Sequence, residues 1–216
     1  MKYDTVIFDL DGTLLDTLDD LTAAVCHSLA ENGYPSRTRE EVRTFVGNGI
    51  GRLMSRALPK DARVDEDTEH RVLDSFVRYY AAHNNDATRP YPGIPEMMKT
   101  LDEHGVRMAI VSNKNDPNVK SLNEQYFGLP LAVGEQPGIR RKPYPDSVKH
   151  VMDVWKCDPE HTLYVGDSEV DVETARNAGI PCAAVLWGFR THEQLAAAGA
   201  ECMIGTPEEL VRLILE

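Results

Sequence analysis

The chain has 216 residues, of which 35 are Asp or Glu and 23 are Lys or Arg, for a formal net charge of −12. With 42% hydrophobic and 27% charged residues, it can fill a core and cover it, which excludes a disordered or collagen-like chain. An acidic balance without any Lys/Arg-rich run argues against nucleic-acid or membrane-surface binding, yet leaves room for a small anion held by a local cation.

No run approaches the ~20 consecutive apolar residues of a membrane helix, and the start lacks the basic segment and apolar run of a signal peptide. A soluble cytoplasmic protein is expected. Cys26, Cys157, Cys182 and Cys202 are scattered, without CxxC or metal-ligand spacing, and read as reduced. Oligomeric state is not legible.

In chain order, Val6-Ile7-Phe8 reads as a buried parallel strand ending at Asp9. From Leu18 the period turns helical: Leu18, Leu21, Val25 and Leu29 form one stripe, stopped by Asn32-Gly33. Further helices are expected over 39–46, 52–58 and 68–82, with no strand between Leu18 and Ala82. After Tyr91-Pro92-Gly93 helices and strands alternate. Helices are expected over 94–104, 117–127, 144–155 and 170–178 and from Pro207, with strands at 107–111, 131–133, 162–165, 182–185 and 202–204. This alternation implies an α/β, doubly wound, Rossmann-like parallel sheet covered by helices on both faces. The first strand belongs to that sheet, so the all-helical stretch reads as an insertion. The expected division is a core of residues 1–15 and 86–216 with a helical cap at 16–85.

In an open parallel sheet the ligand crevice lies beyond the carboxyl ends of the strands. Four polar segments fall there: Asp9-Leu10-Asp11-Gly12-Thr13, Ser112-Asn113, Lys142-Pro143 and Gly166-Asp167-Ser168-Glu169-Val170-Asp171. Taken alone, Ser112-Asn113 is an ordinary turn, Lys142 a solvated lysine before a helix, and Ser168 with Asp171 a helix capping box. Taken together, Asp9, Asp11, Asp167 and Asp171 bring up to four carboxylates into one crevice. Two unit charges 4 Å apart repel by about 4 kcal/mol at an effective dielectric of 20, so the cluster calls for a cation. All-oxygen ligation suits Mg²⁺ better than zinc. Lys142, the Ser112 hydroxyl, Asn113 and the amides of the Asp11-Gly12-Thr13 turn are further donors, and a phosphoryl group is the ligand that fits them.

These motifs, DLDGT at 9–13, VSN at 111–113, RKPYPD at 141–146 and GDSEVD at 166–171, resemble those of the haloacid dehalogenase superfamily, in its phosphoglycolate phosphatase-like group with a helical cap. The resemblance implies that Asp9 is the nucleophile forming an aspartyl-phosphate and that Asp11 is the general acid and then base. It implies that Mg²⁺ binds Asp9, the Asp11 carbonyl and Asp167, with Asp171 as a ligand or just behind, and that Gly12, Thr13, Ser112, Asn113 and Lys142 hold the phosphoryl group. The substrate is then a small phosphorylated metabolite, with 2-phosphoglycolate the first to try and a pyrophosphate or sugar phosphate the alternative.

Asp11 argues against dehalogenation. Leu21 stands where related sugar phosphomutases carry a histidine, and Lys60 offers little support for a phosphonate-cleaving Schiff base. A phospho-accepting regulatory module is the non-enzyme alternative, and Asp11 and the inserted cap speak against it. The glycine-rich Phe45–Arg52 turn resembles the family's specificity loop, in which Asn48 or Arg52 meets the rest of the substrate; it also reads as a plain inter-helix turn. Trp187-Gly188-Phe189-Arg190 lines the crevice or simply packs at a strand end.

Overall fold

The computed structural model describes residues 1–59 and 65–216; Lys60 lies outside them. In chain order the elements are β1 (Thr5–Phe8), β2 (Leu15–Asp16), α1 (Leu18–Glu31), α2 (Arg39–Phe45), α3 (Ile50–Ala57), α4 (Glu66–His83), β3 (Arg89–Pro90), α5 (Ile94–Glu103), β4 (Arg107–Asn115) and α6 (Asp116–Tyr126). They continue as β5 (Leu131–Glu135), α7 (Asp146–Trp155), β6 (Thr162–Gly166), α8 (Glu169–Ala178), β7 (Cys182–Val185), α9 (His192–Ala197), β8 (Met203–Ile204) and α10 (Pro207–Leu215).

The chain divides into two units, residues 1–15 with 90–216 and residues 16–89. The first contains a six-stranded sheet in the order β5-β4-β1-β6-β7-β8, with every pair parallel. Alternation along the strands sends side chains to two apolar layers. Val6, Phe8, Met108, Ile110, Leu163 and Val165 pack with residues of α5, α6 and α10 on one face. Ile7, Ala109, Val111, Val133 and Tyr164 pack with α7 and α8 on the other. A strand covered on both faces has no polar face, which is why β1 and β6 read as continuous apolar runs. β1 lies between β4 and β6, where the strand order reverses direction, so the segments leaving these three strands converge at the switch point of a doubly wound sheet.

The second unit is helical. Leu18, Leu21, Val25 and Leu29 of α1 and Val72, Phe76 and Tyr80 of α4 are buried, and the Ser28 hydroxyl donates to the Val72 carbonyl at 2.6 Å. Thr38 and Glu41 cap α2 reciprocally, and Asp65 caps α4 through the Thr68 N–H. The buried Asp20 carboxylate receives the Ala87 and Thr88 N–H groups and the Thr88 hydroxyl, tying the returning chain to α1.

Beyond shifts of one or two residues at element ends and a short 3-10 turn at Pro159–His161, the described elements depart from the sequence expectation in three places. β4 runs on to Asn115 although its last four residues are polar: after an irregularity between Val111 and Asn115 the strand regains its pairing with β5 at Glu135, at the crevice end. The short β2 and β3 pair with each other as a two-stranded ribbon; two residues are too few to leave a periodic signal. Helix α9, with one buried apolar residue, Leu195, is set by the Thr191–Gln194 capping box rather than by an apolar stripe.

Candidate active site

The turn after β1 is built to be close. The Asp9 N–H donates to the Val165 carbonyl at 2.8 Å, extending the strand pairing by one residue, and the Asp9 carboxylate receives the Leu10 N–H at 2.7 Å. Gly12 has φ +83°, and a Cβ there would overlap the Asp167 carboxylate; only glycine lets the two acidic turns meet. The Gly12 N–H donates to the Leu15 carbonyl at 2.9 Å, closing the turn. The Thr13 hydroxyl points to Asp167 Oδ1 at 3.3 Å.

Lys142 is 3% exposed and lies among acids. Its Nζ is 2.7 Å from Asp171 Oδ1, 2.9 Å from Asp9 Oδ1 and 3.0 Å from the Tyr164 hydroxyl. Burial opposes its charge, but Asp171 and Asp9 hold the ammonium well above lysine's usual pKa. Asp171 Oδ2 accepts the N–H and hydroxyl of Ser168 at 3.1 and 2.6 Å. Asp171 therefore caps α8, as the sequence allowed, and also anchors Lys142, a role the sequence did not show.

The Asn113 side chain makes a reciprocal pair with the Lys142 backbone. Its amide donates to the Lys142 carbonyl at 3.0 Å and its Oδ1 accepts the Lys142 N–H at 2.8 Å. Such a pair fixes where Lys142 leaves the chain. Ser112 is buried beside it, its oxygen accepting the Lys114 N–H at 3.3 Å.

Lys114 was not singled out from the sequence. It is 5% exposed, and its Nζ contacts both oxygens of Asp11, at 2.8 and 3.0 Å. A lysine in the polar run Ser112-Asn113-Lys114-Asn115 reads as solvated. The only available signal was that a strand continued through the run places Ser112 and Lys114 on one side. Tyr164 was also missed, as one more apolar letter within β6.

Asp9, Asp167 and Asp171 each place an oxygen within 4.8 Å of the others, all from buried side chains. Burial, with Asp171 and Asp11 adding to it against Lys142, raises Asp9 to about 7. Burial together with Asp171 and Asp9 raises Asp167 well above the usual carboxylate range. Four carboxyl groups thus face two ammonium groups; with all four ionised two negative charges would be left over, which one divalent cation would match. The donors are oxygens only, the set that suits Mg²⁺.

The structure therefore brings Asp9, Asp11, Gly12, Thr13, Ser112, Asn113, Lys142, Asp167 and Asp171 together at the ends of β1, β4 and β6. Asn48 and Arg52 belong to the helical unit, in the turn before α3 and in its first turn. Cys26, Cys157, Cys182 and Cys202 are free thiols, and among the described residues no helix is long and apolar enough to cross a membrane.

The sequence model of the haloacid dehalogenase-like hydrolases matches residues 6–185. The chain is 37% identical, over 97% of its length and 78% of the relative, to a phosphoglycolate phosphatase of Pseudomonas syringae pv. tomato. It is 31% identical to one of Vibrio parahaemolyticus, over 97% of this chain and 95% of the relative. A crystal structure of a candidate phosphoglycolate phosphatase from Lactobacillus delbrueckii subsp. bulgaricus superposes with a TM-score of 0.95 at 37% identity, covering 100% of this chain and 99% of that one.

Proposed function

Because the chain belongs to the haloacid dehalogenase-like hydrolase family, we propose that it is a Mg²⁺-dependent phosphatase of small phosphate monoesters, with 2-phosphoglycolate as substrate. The observation that carries this reading is the buried cluster in which Lys142 bridges Asp9 and Asp171 while Lys114 holds Asp11. It separates two adjacent carboxyl groups into two environments, as a nucleophile and a proton carrier require. The phosphoglycolate phosphatases that the chain resembles supply the substrate.

In this reading Asp9 attacks phosphorus and forms the aspartyl-phosphate, as Asp11 protonates the departing alkoxide oxygen. Asp11, now a carboxylate, takes a proton from water, whose oxygen attacks the acyl phosphate; phosphate leaves and Asp9 is restored. Lys142 orients Asp9 and faces the phosphoryl charge, and the Ser112 hydroxyl donates to a phosphoryl oxygen. Asn113 fixes Lys142 through its backbone, and Lys114 fixes the Asp11 carboxylate. Asp9, Asp167 and the Asp11 carbonyl, with Asp171 behind them, would hold Mg²⁺, which would supply charge neutralisation for the phosphoryl group. The helical unit is read as the cap, a specificity element whose Asn48 and Arg52 select the leaving group. Leu21, at the mutase histidine position, is a buried core residue of α1, which favours hydrolysis over transfer within a sugar phosphate.

The test is phosphate release by the purified chain from a panel containing 2-phosphoglycolate, sugar phosphates and pyrophosphate, with Mg²⁺ or with chelator. Release from 2-phosphoglycolate is expected to lead the panel and to stop with chelator. Asp9→Asn is expected to abolish it while folding normally, because neutralising a carboxyl that burial has pushed up to about 7 removes a cost of folding. Turnover by that variant at the wild-type rate excludes the covalent route, and a preference for pyrophosphate replaces the substrate.

A further inference from the structure

β7 ends at Val185, and the next strand bond, Leu186 N–H to the Ile204 carbonyl at 2.9 Å, still belongs to the sheet. The following four residues, Trp187-Gly188-Phe189-Arg190, turn back toward the ends of β1 and β6. Each of the four meets the acidic turns. The Trp187 indole N–H donates to the Thr13 carbonyl at 2.9 Å. A Cβ on Gly188 would overlap the Asp167 side chain and the Gly12 carbonyl. The Phe189 N–H donates to Asp167 Oδ2 at 2.7 Å. Arg190, 6% exposed, grips Glu169 through Nε at 2.7 Å and Nη2 at 3.3 Å. Thr191 then caps α9, so the loop is fixed at both ends.

These contacts act on one carboxylate. Asp167 Oδ2 takes the Phe189 N–H and Oδ1 faces the Thr13 hydroxyl, while Gly12 and Gly188 crowd it from two sides. Gly188 lies outside the left-handed region that Gly12 occupies, so what it supplies is room and not backbone freedom. The indole bond to Thr13 fixes the β1 turn to the same loop, and so fixes the distance between the two segments that carry the acids.

We propose that the Trp187–Arg190 loop is a positioning element of the cation site: it sets the Asp167 carboxylate against the Asp9 turn, and Gly188 is the residue that permits the fit. This rests on reading the cluster as a Mg²⁺ site. Groups that orient a ligand side chain govern metal affinity, and changing one typically costs ~10–100-fold.

The experiment is calorimetric titration of Mg²⁺ into the full chain without substrate, alongside thermal unfolding in chelator, for wild type, Gly188→Ala and Trp187→Phe. Trp187→Phe keeps an aromatic ring and deletes the N–H together with part of the indole's packing, which the unfolding measurement reads separately. Gly188→Ala is expected to weaken Mg²⁺ binding ~10-fold or more, and Trp187→Phe to weaken it measurably but less. In turnover, the Mg²⁺ concentration for half-maximal rate should rise while the rate at saturating Mg²⁺ changes much less. A merely structural loop would instead lower the unfolding temperature and leave the Mg²⁺ constant alone. If Gly188→Ala folds and binds Mg²⁺ as wild type does, the proposal is overturned. If Gly188→Ala does not fold, Trp187→Phe decides: unchanged Mg²⁺ affinity overturns the proposal, and weakened affinity in a folded chain sustains it. Wild type that binds no divalent cation removes the cation site itself and the loop's role with it, an outcome distinct from tight binding that the variants leave intact.

Discussion

Charge is used in opposite ways in the two units. At the strand ends of the sheet unit, Lys142 and Asp171 have side chains 2% and 0% exposed, and Lys114 meets Asp11 at 3% and 14%. In the helical unit the pairs are wet: Arg37 with Glu41, Arg39 with Asp19 and Arg43 with Glu40 join groups 20–70% exposed. A buried ion pair adds little net stability, because desolvation offsets its attraction, yet losing one member leaves an unpaired charge in a poor solvent. An exposed pair is worth little either way. Concentrating charge at strand ends is thus a weak way to stabilise a fold and a strong way to fix the direction of reactive groups. Asp20 is the helical unit's exception, a buried carboxylate satisfied by backbone and hydroxyl donors instead of a cation.

The contrast is tested most severely at Lys142. Lys142→Met is expected to abolish phosphatase activity and to destabilise the chain by about 3–5 kcal/mol in chelator, read from denaturant unfolding. The folded pKa of Lys142 is raised, so its contribution is fully present below its unfolded value near 10.5 and is lost only as pH climbs beyond it; the deficit should persist from pH 6 to 9. A loss below about 1 kcal/mol would erase the distinction between the units. Asp20→Ala should cost about 2 kcal/mol, since it leaves two N–H groups and a hydroxyl without their acceptor. Unchanged unfolding would show that water replaces the carboxylate.

Lys114→Met is expected to lower kcat on the best substrate ~10-fold, equivalent to about 1.4 kcal/mol, with phosphate release as the readout. An unaltered kcat would show that Asp11 needs no cation to hold it. Arg43→Ala should move stability by no more than about 0.5 kcal/mol and leave turnover untouched. A larger change would mean that the helical unit's surface charges are not as dispensable as their exposure implies.

What the sequence revealed follows the physics of burial. β1 and β6 were legible because both of their faces are covered, leaving an uninterrupted apolar run that stops where the polar crevice begins. The residues just past those stops, Asp9 and Asp167, could be found without coordinates. Lys114 was hidden because its sequence surroundings are polar, and only the continuation of β4 carries it out of water. Asn113 was read as a ligand donor, and its amide also donates to the Lys142 backbone, a partner 29 residues along the chain to which no local pattern points.

The amino-acid sequence alone determined the α/β class, the parallel sheet and the family, because periodicity and short motifs are local properties of the chain. Tertiary structure decided how the acids are shared: Asp171 with Lys142, Asp11 with Lys114, and Asp167 with the Trp187–Arg190 loop. Those pairings join residues between 22 and 103 positions apart. They are fixed by which strand ends lie side by side, and no local pattern encodes that.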